Sequence, residues 1–552
     1  MASDFARLMK QDFSDFEGAA KAWEKLGGTM ESLQQRHRRN VTGPLHGQWT
    51  GEDANSALFY LEDVESRIGI ARTEAVTIAE VMDETRFRME QAQNALRNAV
   101  RRAEENGYAV DDEGNVTDAS LPTDQGARHD PDYQDLVRER SGPLGEYRQW
   151  IDQALKDARE ASDQGTRALS GLNGDIMDRF RHGAVDESGD DAKAAMKALG
   201  NQGPQIPDKP QDAADWWKAL SPTEQREYMT MYPKEIGSTN GLPSDVRNEA
   251  NRIALDQQYD ALANGDARAE NPGASNDELN NRQNQLALLR EELEKNDGQT
   301  EERKQLYLLD FDGSGNGRAV IAMGNPDTAE HTAIQVPGTD TTMNSVPGQL
   351  GRIGDLQNSA YAYGDPNGDV STIIWLGYDA PEFENGNQLV GGGVYDEGRA
   401  EEAAPRLRDF VQGVRASHEG EPSHLTVLGH SYGSTVVGNA ASLDGGLGAD
   451  DIVAVGSPGM HVNKAEDLNI DPDHVWIGKS DSDNVADAFS DFNLGDNPAE
   501  EPFGGNNFKV DHNGGHSDYW KGDALTNQGL IIAGRQPETE PKQDNDVPLL
   551  PW

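Results

Sequence analysis

Apolar side chains recur at steps of three and four from residue 3 to residue 40, through Phe5, Met9, Phe13, Phe16, Ala20, Trp23, Leu26, Met30 and Leu33. That period places them on one face of a helix. The segment Gly43-Pro44-Leu45-His46-Gly47-Gln48-Trp49-Thr50-Gly51 interrupts it. A second run then carries Ala57, Leu61, Val64, Ile68, Ala71, Ala75, Ile78, Met82, Thr85, Met89, Ala92, Leu96, Ala99 and Ala103 in an alternating four-three step. A step held that long predicts a long, coiled-coil-like helix in need of a partner. A third helical pattern runs from Leu144 through Tyr147, Ile151, Ala154, Ala158, Ala161 and Ala168 to Leu172. Residues 1–185 are therefore expected to form an elongated bundle of helices.

Periodicity stops at 186–211, where Gly, Asp, Pro and Lys end in PQIPDKPQ, a linker. Residues 212–300 return to helical patterns, with a helix start at Ser221-Pro222 and, in the strongly polar stretch 262–300, a helical face carrying Leu286, Leu288 and Leu289, so that part is expected to be a solvated helix and part a loop. From 301 to 534 strands alternate with helices, which implies a mostly parallel sheet. Gln305–Phe311 and Arg318–Met323 read as a hairpin around DGSGNG, followed by strands at 332–336, 371–376, 425–428, 451–455, 474–477 and 507–510. Helices are expected near 349–360 and 395–415, and again after the strand at 425–428. Asp310-x-Asp312-x-Ser314-Gly315 imitates a calcium loop, but Ile321 stands where the bidentate Glu belongs, so a hairpin turn is the better reading. Residues 535–552, with prolines among charges, are expected to be a disordered tail.

Composition narrows the functions. The net charge of −48 argues against nucleic acid and anionic membranes as partners, since both demand a basic face, and weakly favours neutral or cationic substrates. With 0 cysteines, thiolate metal sites, disulfides and a cysteine nucleophile are excluded. No apolar run is long enough to span a bilayer, and the N-terminus lacks a Sec-type apolar core. The expectation is a cytoplasmic protein, or one exported by a route that reads no such signal. It is not expected to be an integral membrane protein.

The helix, Trp-x-Gly turn and helix of residues 1–110 resemble the WXG-motif helical hairpins associated with type VII secretion in Gram-positive bacteria. That family's export signal, YxxxD/E, has its spacing matched by Tyr108 and Asp112 just past the second helix. The resemblance implies an export or interaction module, with self-association or partner helices. The second helix is longer than in a minimal hairpin.

The chemistry centres on HLTVLGHSYGSTVVGNA, residues 424–440. A β-branched run meets Gly429-His430-Ser431-Tyr432-Gly433, and a small-residue helical pattern follows. A nucleophile elbow needs this layout: the serine sits in a strained turn that flanking glycines permit, with the next amide and the new helix N-terminus facing the same spot. The five-residue motif is weak in a chain with 59 glycines, so context decides. An α/β-hydrolase presents serine, acid and histidine in that chain order, because sheet topology dictates it. Downstream of Ser431, HVWIG runs into Lys479-Ser480-Asp481-Ser482-Asp483, which puts two aspartates at a strand end. Farther on, Asp511-His512-Asn513-Gly514-Gly515-His516 supplies a loop able to bring a histidine over the serine. Both acids and both histidines are candidates, Asp483 and His516 ahead of Asp481 and His512. His430 reads as packing beside the elbow. The oxyanion hole is assigned to the amides of Tyr432 and of Thr339, the latter in Val336-Pro337-Gly338-Thr339-Asp340. Phe383, Leu389 and GNQLVGGG form a candidate lid or acyl-pocket loop.

Residues 212–520 resemble an actinobacterial α/β-hydrolase family long catalogued as a domain of unknown function. The carrying strings are WWKALSPTEQ, PKEIGSTNGLPSDVRNEANRIAL, GRAVIAMGNPDTAEHTAIQVPGTDTT, IIWLGYDAP, LTVLGHSYGS, VAVGSPG and HSDYW. In that family the acid commonly precedes Pro-Val. Asp483-Asn484-Val485 matches with Asn for Pro, which favours Asp483, and the final histidine before Ser and an aromatic pair is His516. The resemblance implies an esterase- or lipase-like hydrolase of a small-molecule or lipid-like ester, needing no metal or organic cofactor. The fold expected is an α/β-hydrolase preceded by an all-α helical bundle.

Overall fold

The computed structural model describes residues 3–45, 52–121, 131–172, 194–195, 197–198, 203–264, 273–297, 299–364, 369–382, 397–483 and 494–541. The chain divides into two compact units, Met1–Gln35 with Asp63–Pro204, and Arg36–Glu62 with Gln205–Trp552.

In the first unit the apolar stripe of residues 3–40 is carried by two helices, α1 (Asp4–Lys10) and α2 (Ser14–His37). The break falls where Asp12 Oδ1 accepts the Ser14 amide at 3.0 Å. The long pattern becomes α3 (Glu52–Glu105), a helix of 54 residues that belongs to this unit from Asp63 on. Its partner is the third pattern, α4 (Pro131–Leu172). Ala92, Leu96, Ala99 and Ala103 of α3 pack on Tyr147, Ile151, Ala154 and Ala158 of α4, with Phe5 and Leu8 of α1 completing the cluster. Gly165 permits the close approach, since a Cβ there would lie 2.3 Å from Thr85 Oγ1. A small antiparallel ribbon, β1 (Tyr108–Val110) with β2 (Val116–Asp118), follows α3. Tyr108, read above as part of an export signal, is 4% exposed. The Arg140 guanidinium lies 4.4 Å over its ring, and its hydroxyl donates to Arg140 O at 3.1 Å. Trp49 and Gly51 lie outside the described residues.

The boundary expected at 185 differs from the contact division, which puts Arg36–Glu62 with the second unit. There Arg38 pairs with Asp256 at 3.1 Å and approaches Asp297 at 4.0 Å. Among the described residues from 205 on, five α-helices precede the sheet: α5 (Pro210–Ala219), α6 (Pro222–Met231), α7 (Pro233–Ser238), α8 (Ser244–Asn264) and α9 (Asn276–Asn296). Ser221 and Glu224 form a reciprocal capping box at the start of α6.

Among the described residues the sheet has eight strands, in the order β10-β9-β8-β7-β5-β6-β4-β3. They are β3 (Leu306–Asp312), β4 (Arg318–Met323), β5 (His331–Val336), β6 (Val370–Leu376), β7 (His424–His430), β8 (Asp451–Val455), β9 (Val475–Gly478) and β10 (Asn506–Asn507). β4 runs antiparallel to both β3 and β6, and every other pair is parallel. The calcium-like string is a hairpin turn, with Asp312 accepting the Ser314 amide and pairing with Arg318. Strands covered on both faces need near-continuous apolar sequence, and β6 is buried at every residue. Helices α10 (Val346–Tyr363), α11 (Gly398–Ser417), α12 (Tyr432–Ser442) and α13 (Gly522–Ile532) complete the layers. This is the α/β-hydrolase arrangement expected. Helix α13 was not foreseen. The supposed tail is ordered through residue 541: Lys509 donates to Glu538 O and Glu540 to Asn507 O, beside a Phe508–Thr539 bridge.

Candidate active site

Strand β7 lies at the centre of the sheet and stops at His430, and α12 begins at Tyr432. Ser431 joins them with φ 53° and ψ −133°, a left-handed conformation that costs a non-glycine residue roughly 1–3 kcal/mol. The neighbours hold it there. The Ser431 amide donates to Val455 O at 3.0 Å, and Ser434 Oγ donates to Ser431 O at 2.6 Å. The motif's glycines serve close backbone approach. A Cβ on Gly429 would lie 2.4 Å from Ser434 Cα, and one on Gly433 would lie 2.2 Å from Val336 O.

The loop after β5 closes over the serine. A Cβ on Gly338 would sit 2.6 Å from Ser431 Cβ. Tyr378 Oη donates to Pro337 O at 2.6 Å, and the Asp340 amide donates to Pro381 O at 3.0 Å, so the Gly338–Thr339 peptide is fixed from both sides. Tyr378 also stacks on Tyr432, and burial pushes its phenol well above the usual tyrosine range.

Asp483 follows β9 and is 1% exposed. His516 Nδ1 faces both its oxygens at 3.0 Å. An imidazole so placed donates from Nδ1 and keeps its Nε2 lone pair, the tautomer a general base requires. Tyr519 Oη donates to Asp483 Oδ2 at 2.7 Å and accepts the Ser480 amide at 3.1 Å. Gly456, at φ 56°, backs this pair: a Cβ there would lie 2.9 Å from Asp483 Oδ2 and from Tyr519 Cε2, and 3.2 Å from His516 Cε1. His516 sits in a turn closed by Gly515 N donating to Asp518 Oδ2 at 2.8 Å. From below, His430 Nε2 meets His516 O at 2.8 Å and its ring lies 4.9 Å from the His516 ring. Burial, with the nearby His516, lowers the His430 pKa to about 3, so it stays neutral and donates from Nε2.

Ser431, His516 and Thr339 line one cleft of about 400 Å³. The competing acid and base are found together elsewhere. His512 Nδ1 lies 3.1 Å from Asp481 Oδ2 as an exposed surface pair. The residues missed in the sequence are the ones that hold the others: Gly338, Tyr378, Gly456 and Tyr519. Tyr378, Gly456 and Tyr519 lie in the strings IIWLGYDAP, VAVGSPG and HSDYW, which carried the family resemblance without showing what each residue does. The candidate lid at 383–393 lies outside the described residues.

A family profile described as alpha/beta hydrolase matches residues 312–493. An uncharacterized protein of Mycobacterium bovis is 31% identical over 205 residues, covering 35% of this chain and 74% of that protein. The chain belongs to the alpha/beta hydrolase family. An uncharacterized protein of Mycobacterium tuberculosis is 29% identical over 400 residues, 61% of this chain and 59% of its own length, so the chain spans about three fifths of that relative. A structure from a study of two fungal esterases from Rhizomucor miehei overlaps at TM-score 0.25 and 12% identity, covering 42% of this chain and 82% of that one, too little to argue from. In this alpha/beta hydrolase Ser431 follows β7, Asp483 follows β9 and His516 lies beyond β10, which is the chain order of serine, acid and histidine that such a sheet would require of a triad. Among the described residues no helix is long and apolar enough to cross a membrane.

Proposed function

We propose that this alpha/beta hydrolase is a serine hydrolase of carboxylic esters. The observation that carries the reading is a buried carboxylate holding the Nδ1 side of His516 at 3.0 Å, with the strained Ser431 in the same cleft. His516 Nε2 takes the Ser431 proton as Oγ attacks the ester carbonyl, and the amides of Tyr432 and Thr339 receive the oxyanion. Collapse breaks the ester C–O bond, and His516 gives its proton to the leaving alcohol. Water, deprotonated by the same imidazole, then hydrolyses the acyl-Ser431. Asp483 orients the ring and stabilises its charged form. Ser431→Ala is expected to abolish p-nitrophenyl ester turnover and fluorophosphonate labelling. Unchanged turnover and labelling in that variant would refute the reading.

A second reading concerns the helical unit. Phe16, Trp23, Leu26 and Leu33 of α2 are 36–40% exposed, which favours a partner-binding or export role of the WXG-like kind. Secretion that is the same with and without an intact type VII system would remove the export half of that reading.

A further inference from the structure

An esterase for lipid-like acyl chains needs an apolar trough beside its nucleophile. Among the described residues the cleft at Ser431 is walled instead by Thr339, Thr341, Ser345, Gln349, Arg352 and Ser517, with Pro347 the main apolar residue in reach. Two of these groups lack partners. Gln349 is 5% exposed, and its Oε1 has no hydrogen-bond partner among the described residues. Leaving a buried carbonyl unpaired is costly, so a ligand donor fits there. Arg352, one turn of α10 farther on, makes no ion pair or hydrogen bond among the described residues. Its guanidinium lies 5.1 Å over the Trp520 ring, which fixes it by packing and leaves its donors to the cleft. Its charge is felt inside the site, where it helps keep His430 neutral. The first turn of α10 also walls the cleft. Its N-cap Ser345 makes no side-chain cap, and no acidic residue occupies that turn, so the positive end of the helix is uncompensated. Asp340, the acidic residue on the wall, is exposed at the rim.

Resting on the hydrolase reading above, we propose that the substrate is a polar ester carrying an anionic group, bound by Arg352 with the first turn of α10, and a hydroxyl or N–H that donates to Gln349. The chain's net charge of −48 points to neutral or cationic substrates, but the local field at the reacting atoms decides recognition. The step is ordinary ester hydrolysis: water is consumed, and an acid and an alcohol leave.

Two matched pairs of esters test this on the full chain. Mono-p-nitrophenyl glutarate against p-nitrophenyl valerate puts the carboxylate on the acyl side. 4-Butyryloxybenzoate against its methyl ester puts it on the alcohol side. At least one anionic ester is expected to exceed its neutral match in kcat/KM by ten-fold or more, the size of one charge-assisted hydrogen bond. Arg352→Gln should cut that ratio at least ten-fold, and Arg352→Lys should keep a several-fold preference. Neutral esters favoured in both pairs, or a preference that Arg352→Gln leaves intact, would overturn the proposal. If those results come with turnover that Ser431→Ala abolishes, only the substrate class is wrong. If Ser431→Ala keeps turnover of every ester, the hydrolase reading fails first.

Discussion

Gly456→Ala tests the site without touching any group assigned to chemistry. Two effects are separable. The backbone stands at φ 56°, where a Cβ costs roughly 1–2 kcal/mol. The new methyl would also lie 2.9 Å from Asp483 Oδ2 and from Tyr519 Cε2. Both side chains are at most 2% exposed and bonded to each other, so neither is a loose end that can swing away. Recovering ordinary contact means moving the Asp483–His516 pair by roughly 0.5 Å, and overpacking of this kind adds roughly 1–3 kcal/mol. The total loss of stability is about 2–5 kcal/mol. A displaced imidazole should lower kcat about 10- to 100-fold, with KM changed far less. Gly445→Ala is the control. It has φ 89° and nothing within 4 Å of its Cβ, so it isolates the backbone cost and should leave the kinetics alone. The assay is ester kinetics at 15 °C beside thermal melts of both variants. A folded Gly456→Ala protein with wild-type kcat would mean that the Asp483–His516 pair does not serve the reaction.

Three further outcomes are expected. Asp483→Asn should lower kcat on the order of 10⁴-fold, as loss of the orienting acid does, while Asp481→Asn stays near wild type in the same ester assay. Ser431→Gly and Ser431→Ala should both be inactive, but the glycine variant should be the more stable by about 1 kcal/mol in thermal melts, because only glycine relieves φ 53°. His430, held near pKa 3 against an ordinary 6.5, stays neutral in the fold while the unfolded chain takes up a proton. Stability therefore falls as pH drops from about 6.5 towards 3, by at most about 1.4 kcal/mol per unit from this group. His430→Gln should flatten that part of the melting-temperature profile, and an equally steep profile would place the acid sensitivity elsewhere.

Much of this was readable because it follows from period and order. Steps of three and four gave the long helices, and chain order tied the elbow to later acids and histidines. Which partner α3 would take was not readable, since a stripe says that a helix needs covering and not by what. The choice between Asp481 and Asp483, and between His512 and His516, could not rest on spacing, because neighbours in one loop share the same local sequence. Burial separates them: Asp483 is 1% exposed beneath Tyr519, whereas Asp481 and His512 pair in solvent. Helix α13 was missed because GDALTNQGLII mixes glycine and polar residues on a face that packs against α10. The ordered stretch to residue 541 was missed for a different reason. Prolines and charges suggested disorder, but Glu538 O and the Glu540 amide are held by backbone bonds to Lys509 and Asn507, which composition does not report.

The same limit explains why the glycines carry so much of the site. Gly429 and Gly433 let α12 and the β5 loop approach the elbow, Gly338 lets that loop lie on Ser431, and Gly456 leaves room for the acid and histidine. None contributes a functional group, and each acts through the volume it omits. The strain at Ser431 persists because the backbones of β7, α12 and the end of β5 meet there at distances that admit no side chain, and β8 holds the serine amide through Val455 O, so relaxing the serine would require moving β5, β8 or α12. A substitution at any of these glycines should therefore disturb positions first and folding second, and the surviving activity would measure how far the serine and the imidazole have been parted.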